Sequence, residues 1–253
     1  MLDLKLKSSF KKNGFLHLKK FLNSSLLEEL RHEIERYIIE KVPHLEAKDV
    51  FFDNPEKPDT LKQLHRMEQD PFFEDYRSHP LWIETATFLL DEPVEPAMGV
   101  ELFNKPPKTD HVTPPHQDNF YFCLVPAKVL TIWVALDPVD TSNGCIRYVA
   151  GSHLNGLRNH EKSSTLGFSQ TITDFGPIDL EKEVSIVAEP GDALIHHGNT
   201  IHRAGSNKTL DRHRRGFAMV MKGTQARRDQ ERFEIYNESS KSQQSSFGIE
   251  LNT

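Results

Sequence analysis

The sequence predicts a mainly β protein, folded as a sandwich or barrel, with a helical region before it. Short apolar runs rich in β-forming residues begin at Ala97, and turn signals such as Asn143-Gly144 and Pro190-Gly191 separate them. No helical pattern is interleaved with these runs, as it would be in an α/β sheet. A chain of 253 residues, 37% of them hydrophobic, suits one undivided domain, residues 1–253.

The first part of the chain, residues 1–96, is predicted to be a helical buttress that packs on the sheet. A short strand at Phe15–Leu18 comes first, and Asn23 or Ser24 then caps a helix whose apolar positions recur at helical spacing. These segments carry no chemical motif, so we expect them to serve the fold alone. Two further helix candidates are residues 59–67 and 80–90.

The predicted core, residues 97–222, contains the strand candidates. A long polar interval at 154–182 interrupts them, and intervals of this length usually form lids, binding loops or disordered excursions. After Tyr236 the chain becomes rich in Ser and Gln, so residues 237–253 are predicted to be a flexible tail. The strand candidates are residues 100–103, 119–124, 129–136, 145–149, 184–188, 193–195 and 216–221.

Composition limits the classes of partner and location. The net charge of -6 gives no reason to expect nucleic acid, and no apolar run approaches the length of a membrane span. Residues 1–20 are too charged for a signal peptide, and Cys123 and Cys145 are expected to be reduced core residues. We therefore expect a cytoplasmic protein with a small-molecule substrate and no membrane partner; the oligomeric state stays open.

The clearest chemical motif is His116-Gln117-Asp118. Residues two apart on an extended strand present their side chains on the same face, so an imidazole and a carboxylate would lie side by side. A later histidine would complete a set of two histidines and one carboxylate. That set leaves three coordination positions open on non-haem Fe(II).

Four later histidines are candidates for the third ligand. His202 is favoured, because a turn precedes it and the small residues Ala204 and Gly205 let the backbone pass close behind. His196 or His197 would be next, and a core or solvent-facing histidine is the plainer interpretation of each. The four candidates are His196, His197, His202 and His213.

Several short motifs follow one another in order over residues 97–222, about half of the chain. They are His116-Gln117-Asp118, residues 130–137, Asn143-Gly144-Cys145, Gly151-Ser152-His153, Pro190-Gly191-Asp192, His202 with Asn207, and Arg214-Arg215-Gly216. As an ordered series they resemble the phytanoyl-CoA dioxygenase family of Fe(II)- and 2-oxoglutarate-dependent oxygenases. The resemblance implies a double-stranded β-helix, a jelly-roll barrel with iron at one open end, 2-oxoglutarate as co-substrate and O2 as oxidant.

The resemblance also implies roles for single residues. His116, Asp118 and His202 would bind the iron, and Arg214 would bind the far carboxylate of 2-oxoglutarate with two parallel hydrogen bonds. Arg214 matches the family pattern if residues 210–213 hold one extra residue. Arg215 is the alternative, and on a strand it would face the opposite way.

Three more residues are implied to lie beside the co-substrate: Thr131, Trp133 and Lys105. Trp133 is nearly as well explained as a core residue, and Lys105 as a solvated residue before a turn. Arg203 stands where the family usually has Gly, which is a departure from the pattern.

Asp118 fills the position that halogenating relatives leave for chloride, so the resemblance favours hydroxylation, with release of succinate and CO2. The polar residues expected at the mouth would suit a small polar or anionic substrate. Two other classes remain: a metal-dependent hydrolase or isomerase on a cupin-like barrel, and a non-catalytic metal-binding barrel. The residues expected at the mouth are Asn119, Tyr121, Arg147, His153 and Arg203, with Arg212 and His213 nearby.

Overall fold

A computed structural model describes residues 2–165 and 168–246 of the chain. The helices are α1 (Leu4–Asn13), α2 (Ser24–Glu40), α3 (Pro71–Tyr76), α4 (Pro80–Leu90), α5 (Asp118–Phe122), α6 (Pro177–Glu181) and α7 (Gln230–Ser246). The short 3-10 segments are Val42–His44, Pro58–Thr60, Met67–Gln69 and Ser152–Asn155.

The strands follow one another along the chain from the first helix to the last. They are β1 (Phe15–Leu18), β2 (Val50–Phe52), β3 (Leu61–Leu64), β4 (Val94–Pro96), β5 (Glu101–Lys105), β6 (Thr113–His116), β7 (Leu124–Val125), β8 (Val129–Ala135), β9 (Ile146–Val149), β10 (His160–Thr165), β11 (Phe168–Ile172), β12 (Glu183–Ser185), β13 (Ala193–His197), β14 (His202–Ala204), β15 (Arg214–Gly223) and β16 (Arg227–Arg228).

Two antiparallel sheets form the core of a jelly roll. The major sheet has the order β1-β13-β8-β15-β5-β3-β2, with β4 also paired to β15, and the minor sheet has the order β12-β9-β14-β6. Residues of both sheets share one apolar cluster, so the sheets pack face to face. The described strands face each other in this way without closing into one barrel. Two smaller ladders, β10-β11 and β16-β7, lie outside them.

Strand β8 contributes side chains to two apolar clusters, one on each face of the major sheet. Its seven residues are all buried. Leu130, Ile132 and Val134 pack in the cluster that includes the N-terminal helices, whereas Trp133 and Ala135 pack in the cluster between the sheets. The two-residue period of a strand divides alternate side chains in this manner. A strand buried on both faces therefore reads as one continuous apolar run.

The predicted N-terminal helices are confirmed at two places. The Asn23 side chain accepts a hydrogen bond from the Leu26 amide at 3.0 Å and caps α2, while helix α4 has the predicted bounds of residues 80–90. The predicted strand Phe15–Leu18 is strand β1. Residues 1–96 are nevertheless not only helical, because they add four strands, β1 to β4, to the major sheet.

The helix predicted at residues 59–67 is wrong. This segment holds the 3-10 turn Pro58–Thr60 and then strand β3, which pairs with β2 and β5. All four residues of β3 are buried, including Lys62 and Gln63. Pairing with two neighbouring strands outweighs the local helical pattern. The sequence of one short segment does not reveal such pairing.

The strand predicted at residues 119–124 is also wrong. Strand β6 ends at His116, and helix α5 begins at Asp118. The cause is Asn119, whose side chain donates to the Leu124 carbonyl at 3.1 Å and accepts from the Leu124 amide at 3.0 Å. These two bonds close a tight turn, so the aromatic residues around them lie on a helix.

Part of the predicted tail is ordered. Residues 237–246 belong to helix α7, and Gln243 is buried there, donating to the Ser163 carbonyl of β10 at 2.7 Å. The flexible tail predicted over this part is therefore a packed helix, and residues 247–253 lie outside the described residues. The interval 154–182 contains the β10-β11 hairpin and helix α6.

Both cysteines, Cys123 and Cys145, are buried and free, which confirms that they are core residues without a disulfide. Along residues 2–165 and 168–246, no helix combines the length and the apolar character needed to cross a bilayer.

Candidate active site

The His-X-Asp motif and a later histidine meet at the open end of the two sheets. Strands β6 and β14 pair with His116 opposite His202, and Asp118 begins helix α5 just beyond. One ligand atom from each of these three residues lies within 4.8 Å of the other two. Asp118 Oδ1 is 3.5 Å from both His116 Nε2 and His202 Nε2. The structure therefore brings the three predicted ligands together.

Backbone carbonyls orient both imidazoles. His116 Nδ1 lies 2.8 Å from the Pro114 carbonyl oxygen, and His202 Nδ1 lies 3.0 Å from the Thr200 carbonyl oxygen. A carbonyl can only accept, so Nδ1 carries the proton in each ring and Nε2 presents a lone pair toward Asp118. Burial holds the pKa of His202 well below its usual value, which keeps this ring neutral.

The second oxygen of Asp118 is held by two donors that the sequence motif did not include. Thr131 Oγ1 donates to Asp118 Oδ2 at 2.6 Å, and His196 Nε2 lies 2.9 Å from the same oxygen. The Tyr148 hydroxyl lies 3.0 Å from His196 Nδ1. If His196 donates through Nε2, its Nδ1 accepts from Tyr148, and both rings are fixed.

These donors leave Oδ1 as the oxygen of Asp118 that faces the two imidazoles. Burial alone would raise the pKa of Asp118, but the neighbouring imidazoles of His202, His196 and His116 keep it well below its usual value. Two neutral imidazoles and one ionised carboxylate on one side of a cavity are the donor set of a non-haem Fe(II) site. The residues present therefore fit that metal.

Arg214 lies in the same cavity and is buried. It is 3% exposed, its Nε has no hydrogen-bond partner, and no carboxylate of the described residues lies within salt-bridge distance. Its guanidinium carbon lies 5.5 Å from the Trp133 ring centre. Burial lowers the pKa of Arg214 to about 10.

Lys105 faces Arg214 across the β5–β15 pair and is also buried. Its Nζ donates to the His111 carbonyl at 2.7 Å, and burial, with the charge of Arg214, lowers the pKa of Lys105 well below its usual value. Two buried cations side by side without an anion form a site for a carboxylate.

Arg215, the alternative anchor, faces the other side of the major sheet. It binds Asp137 with two hydrogen bonds of 2.9 and 2.8 Å, and its Nη1 lies 2.8 Å from Glu35 Oε1. Its guanidinium is therefore engaged by carboxylates of the protein. Adjacent residues on a strand face opposite ways, so only one of the two arginines can reach the cavity.

The residues predicted at the cavity mouth separate into two groups. Tyr121 and Arg203 line the cavity, but Arg203 binds Glu183 at 2.6 and 2.9 Å. The other three do not line it. Asn119 closes the α5 turn, Arg147 lies 3.6 Å from Glu183, and His153 Nε2 lies 3.1 Å from the Lys11 carbonyl oxygen. Their placement at the mouth therefore needs correction, because the contacts just described hold all three side chains outside the cavity wall.

The cavity itself encloses about 360 Å³. Besides the three candidate ligands and the two cations, its wall includes Thr131, Trp133 and His196. Sequence analysis missed a further group on the opposite side, formed by Glu101, His65 and Tyr236. No motif marks them, because they come from three separate elements.

Gln117, between two of the candidate ligands, is fully buried. Its amide nitrogen donates to the carbonyls of Gly156 and Asn199 at 2.8 and 2.7 Å, and its amide oxygen accepts from the Arg158 amide at 2.8 Å. The backbone nitrogen of Gln117 donates to His160 Nε2 at 3.1 Å. The interval 154–182 is thus bound directly to the motif.

Comparison with known proteins places these features among those of one family. The profile of the family described as Phytanoyl-CoA dioxygenase (PhyH) matches residues 10–216. The peroxisomal phytanoyl-CoA dioxygenase of Homo sapiens is 28% identical over 227 residues, which cover 83% of this chain and 65% of that protein. That of Bos taurus is 28% identical over 221 residues, with the same coverage. The chain thus spans just under two thirds of these relatives.

Solved structures show the same fold. EvdO2 from Micromonospora carbonacea var. aurantiaca, complexed with 2-oxoglutarate, aligns with a TM-score of 0.71 and 23% identity, covering 90% of this chain and 93% of that one. The epimerase SnoN, complexed with Fe3+, alpha ketoglutarate and nogalamycin RO, aligns at 0.70 and 23%, covering 88% and 84%. EctD from S. alaskensis aligns at 0.71 and 16%, covering 88% and 77%.

Proposed function

The chain belongs to the phytanoyl-CoA dioxygenase family, and on that premise we propose that it is an Fe(II)- and 2-oxoglutarate-dependent dioxygenase. In this proposal it hydroxylates a small polar or anionic metabolite and releases succinate and CO2. Structural neighbours include an epimerase and a carbocyclase as well as EctD, so hydroxylation is the finer part of the proposal.

One observation carries the proposal: a candidate metal site and a buried unpaired arginine share one cavity. His116, Asp118 and His202 are the proposed ligands, and Arg214 is the proposed anchor for the far carboxylate of 2-oxoglutarate. A hydrolase or isomerase would need the metal but would have no use for a second, cationic subsite. The pairing of both subsites therefore favours the oxygenase.

Lys105 and Trp133 complete the proposed co-substrate subsite. Lys105 adds a second positive charge opposite Arg214, and the Trp133 ring covers the guanidinium. Gly216 leaves room for that ring, because a Cβ there would lie 1.9 Å from two of its carbon atoms. The subsite is thus dry, cationic and shaped for a planar carboxylate.

The side chains behind Asp118 hold the proposed ligand in position. Thr131 and His196 fix one carboxylate oxygen, and Tyr148 fixes His196. Such partners orient metal ligands and keep the proton off the ligating atom. When bound, iron with 2-oxoglutarate and dioxygen supplies the oxidising chemistry, and the protein supplies orientation and a water-poor cavity.

The test begins without oxygen. Fe(II) added to the full-length chain, followed by 2-oxoglutarate, should give a visible charge-transfer band, since the keto acid then binds the iron through both oxygens. Admission of air should consume 2-oxoglutarate and release succinate, faster in the presence of the right metabolite. Absence of the band together with absence of succinate would exclude this function, and binding of Fe(II) alone would favour a non-oxygenase metal site.

A further inference from the structure

A carboxyl group, that of Glu101, also faces the cavity. Glu101, Phe103 and Lys105 alternate along β5 and all three line the cavity. Residues four apart on a strand are separated by roughly 13 Å along the backbone, so Glu101 and Lys105 occupy different positions along the cavity wall. With Lys105 and Arg214 proposed for 2-oxoglutarate, Glu101 lies where the other substrate must fit.

Glu101 has no cationic partner among the described residues. Its close contact is His65, whose Nδ1 lies 3.2 Å from Glu101 Oε1. Burial lowers the pKa of His65 to about 4, so this imidazole is neutral and supplies no charge. His65 Nε2 lies 3.0 Å from Gln63 Oε1, an acceptor, which assigns the ring proton to Nε2 and leaves Nδ1 to accept from Glu101.

That geometry describes a carboxyl group held in its protonated form. Burial, together with the charges of Asp118 and Glu68, raises the pKa of Glu101 to about 8. The Glu101 side chain is 30% exposed and lines the cavity. Among the described residues, no cation lies beside its carboxyl group to favour ionisation. A ligand that carries a positive charge would supply it.

Three further cationic side chains of the cavity wall are already paired within the protein. Each of their contacts is an ion pair of 3.4 Å or less, so none of them competes for the charge of Glu101. The pairs are Lys62 with Asp53, Arg66 with Asp49, and Arg203 with Glu183.

Aromatic side chains also line this cavity. Tyr121 and Tyr236 meet edge to face with centroids 5.6 Å apart, and Phe233 from helix α7 lines the wall beside them. Glu101 and Tyr236 line the same cavity, and burial raises the pKa of Tyr236. Aromatic faces attract cations, and with a carboxylate they form a favourable site for an ammonium group.

From this arrangement we infer that the prime substrate carries a cationic nitrogen, which Glu101 binds inside the aromatic end of the cavity. The inference rests on the proposed function, because it takes the cationic end to be occupied by 2-oxoglutarate. It also replaces the anionic alternative for the substrate, so that among polar metabolites the expected class is amines. Glu101 is then the residue that determines specificity.

The test uses the anaerobic complex of the full-length chain with Fe(II) and 2-oxoglutarate. Straight-chain amines of two to six carbons and 2-phenylethylamine are titrated against it, each beside the alcohol and the carboxylate of the same skeleton. A shift of the visible band reports binding near the iron. We expect the best amine to bind about ten- to a hundredfold more tightly than its alcohol, the range of a charge-assisted hydrogen bond.

Glu101→Gln, which keeps the size and removes the charge, should abolish the preference for the amine while the band itself is unchanged. Glu95→Gln is the matched control, since Glu95 lies on β4 outside the cavity, half exposed, and pairs with Lys222. Glu101→Asp should keep the preference with weaker binding.

The outcomes separate the two proposals. If the band forms but no amine binds better than its alcohol, or a carboxylate binds best, the amine inference is overturned and the oxygenase remains. If no band forms, the oxygenase proposal itself fails. Should Glu101→Gln not fold, the comparison of amine with alcohol on the wild type still decides.

Discussion

Adjacent residues on a strand of the major sheet have different surroundings, because one side chain faces the cavity and the next faces outward. On β15, Arg214 faces the cavity without a carboxylate in reach, whereas Arg215 faces outward and binds Asp137 with two hydrogen bonds. On β8, Thr131 donates to Asp118, whereas its neighbour Ile132 packs in the helix-covered core. The inner face thus presents polar groups to a ligand, and the outer face is completed by the protein itself.

The comparison shows that function and stability depend on different faces of the same strands. A buried charge without a partner is destabilising, so its presence is explained by a ligand that arrives later. A charge on the outer face is paired with a carboxylate of the protein itself, so no ligand is needed to explain it. Substitutions at neighbouring positions should therefore produce different kinds of effect, and the four predictions below test that separation.

The largest effect is expected at the proposed metal site. His202→Ala removes one of three ligands, so it should abolish Fe(II) binding and turnover while the far-ultraviolet circular dichroism stays that of the wild type. His197→Ala is the control, because His197 lies at the end of β13 beside His153 and outside the site. Loss of iron binding in the control but not in His202→Ala would reverse the assignment.

The next effect concerns co-substrate affinity. Arg214→Ala should raise the KM for 2-oxoglutarate about ten- to a hundredfold, since a charge-assisted hydrogen bond contributes about 1.5–3 kcal/mol. Fe(II) affinity should stay unchanged because the ligands are untouched. Arg215→Ala, measured in the same assay, should alter this KM little. An exchange of the two behaviours would show that Arg215 is the anchor.

A smaller effect is expected from the partner of Asp118. Thr131→Val keeps the shape and removes the hydroxyl, so the carboxylate loses one of two donors to Oδ2. Loss of such a partner commonly costs about tenfold or more in metal affinity or activity. Ile132→Val, one position along, should leave the rate unchanged and lower the free energy of unfolding by about 0.5–1.5 kcal/mol. Equal effects of both variants on turnover would contradict the separation of faces.

The smallest effect should appear in stability, with opposite signs for the two arginines. Burial lowers the pKa of Arg214 from 12.5 to about 10, so below about pH 10 its charge destabilises the ligand-free fold. Arg214→Met should therefore raise the free energy of unfolding at pH 7 by about 1 kcal/mol. Arg215→Met breaks a two-pronged ion pair and should lower it by a similar amount. Urea unfolding of the ligand-free protein measures both, and a loss in both variants would argue against an unpaired Arg214.

The sequence predicted which residues meet at the candidate site better than it predicted the backbone that carries them. The spacing of His116 and Asp118 suggested one extended strand, but the strand ends at the first residue and a helix begins at the second. Asp118 still lies close to His116, and His202 pairs opposite His116 across the minor sheet, so the three side chains converge. Their roles as ligands remain predictions.

Other features depend on contacts that a single sequence does not reveal. Helix α7 is rich in Ser and Gln, which is typical of a tail, yet it packs on the β10-β11 hairpin through Gln243. Arg147 and Arg203 were predicted to face a substrate, but the fold brings Glu183 close to both. Glu101 carries no motif, and only the fold places it in the cavity. Long-range pairing decides all of these cases.

The buried amide of Gln117 has a mechanical consequence. It joins three backbone positions, at Gly156, Arg158 and Asn199, to a residue that lies between two proposed iron ligands. Movement of the hairpin segment away from the cavity must either break these hydrogen bonds or pull on the backbone that carries His116 and Asp118. We therefore expect opening of the cavity at this segment to be coupled to the spacing of the proposed ligands.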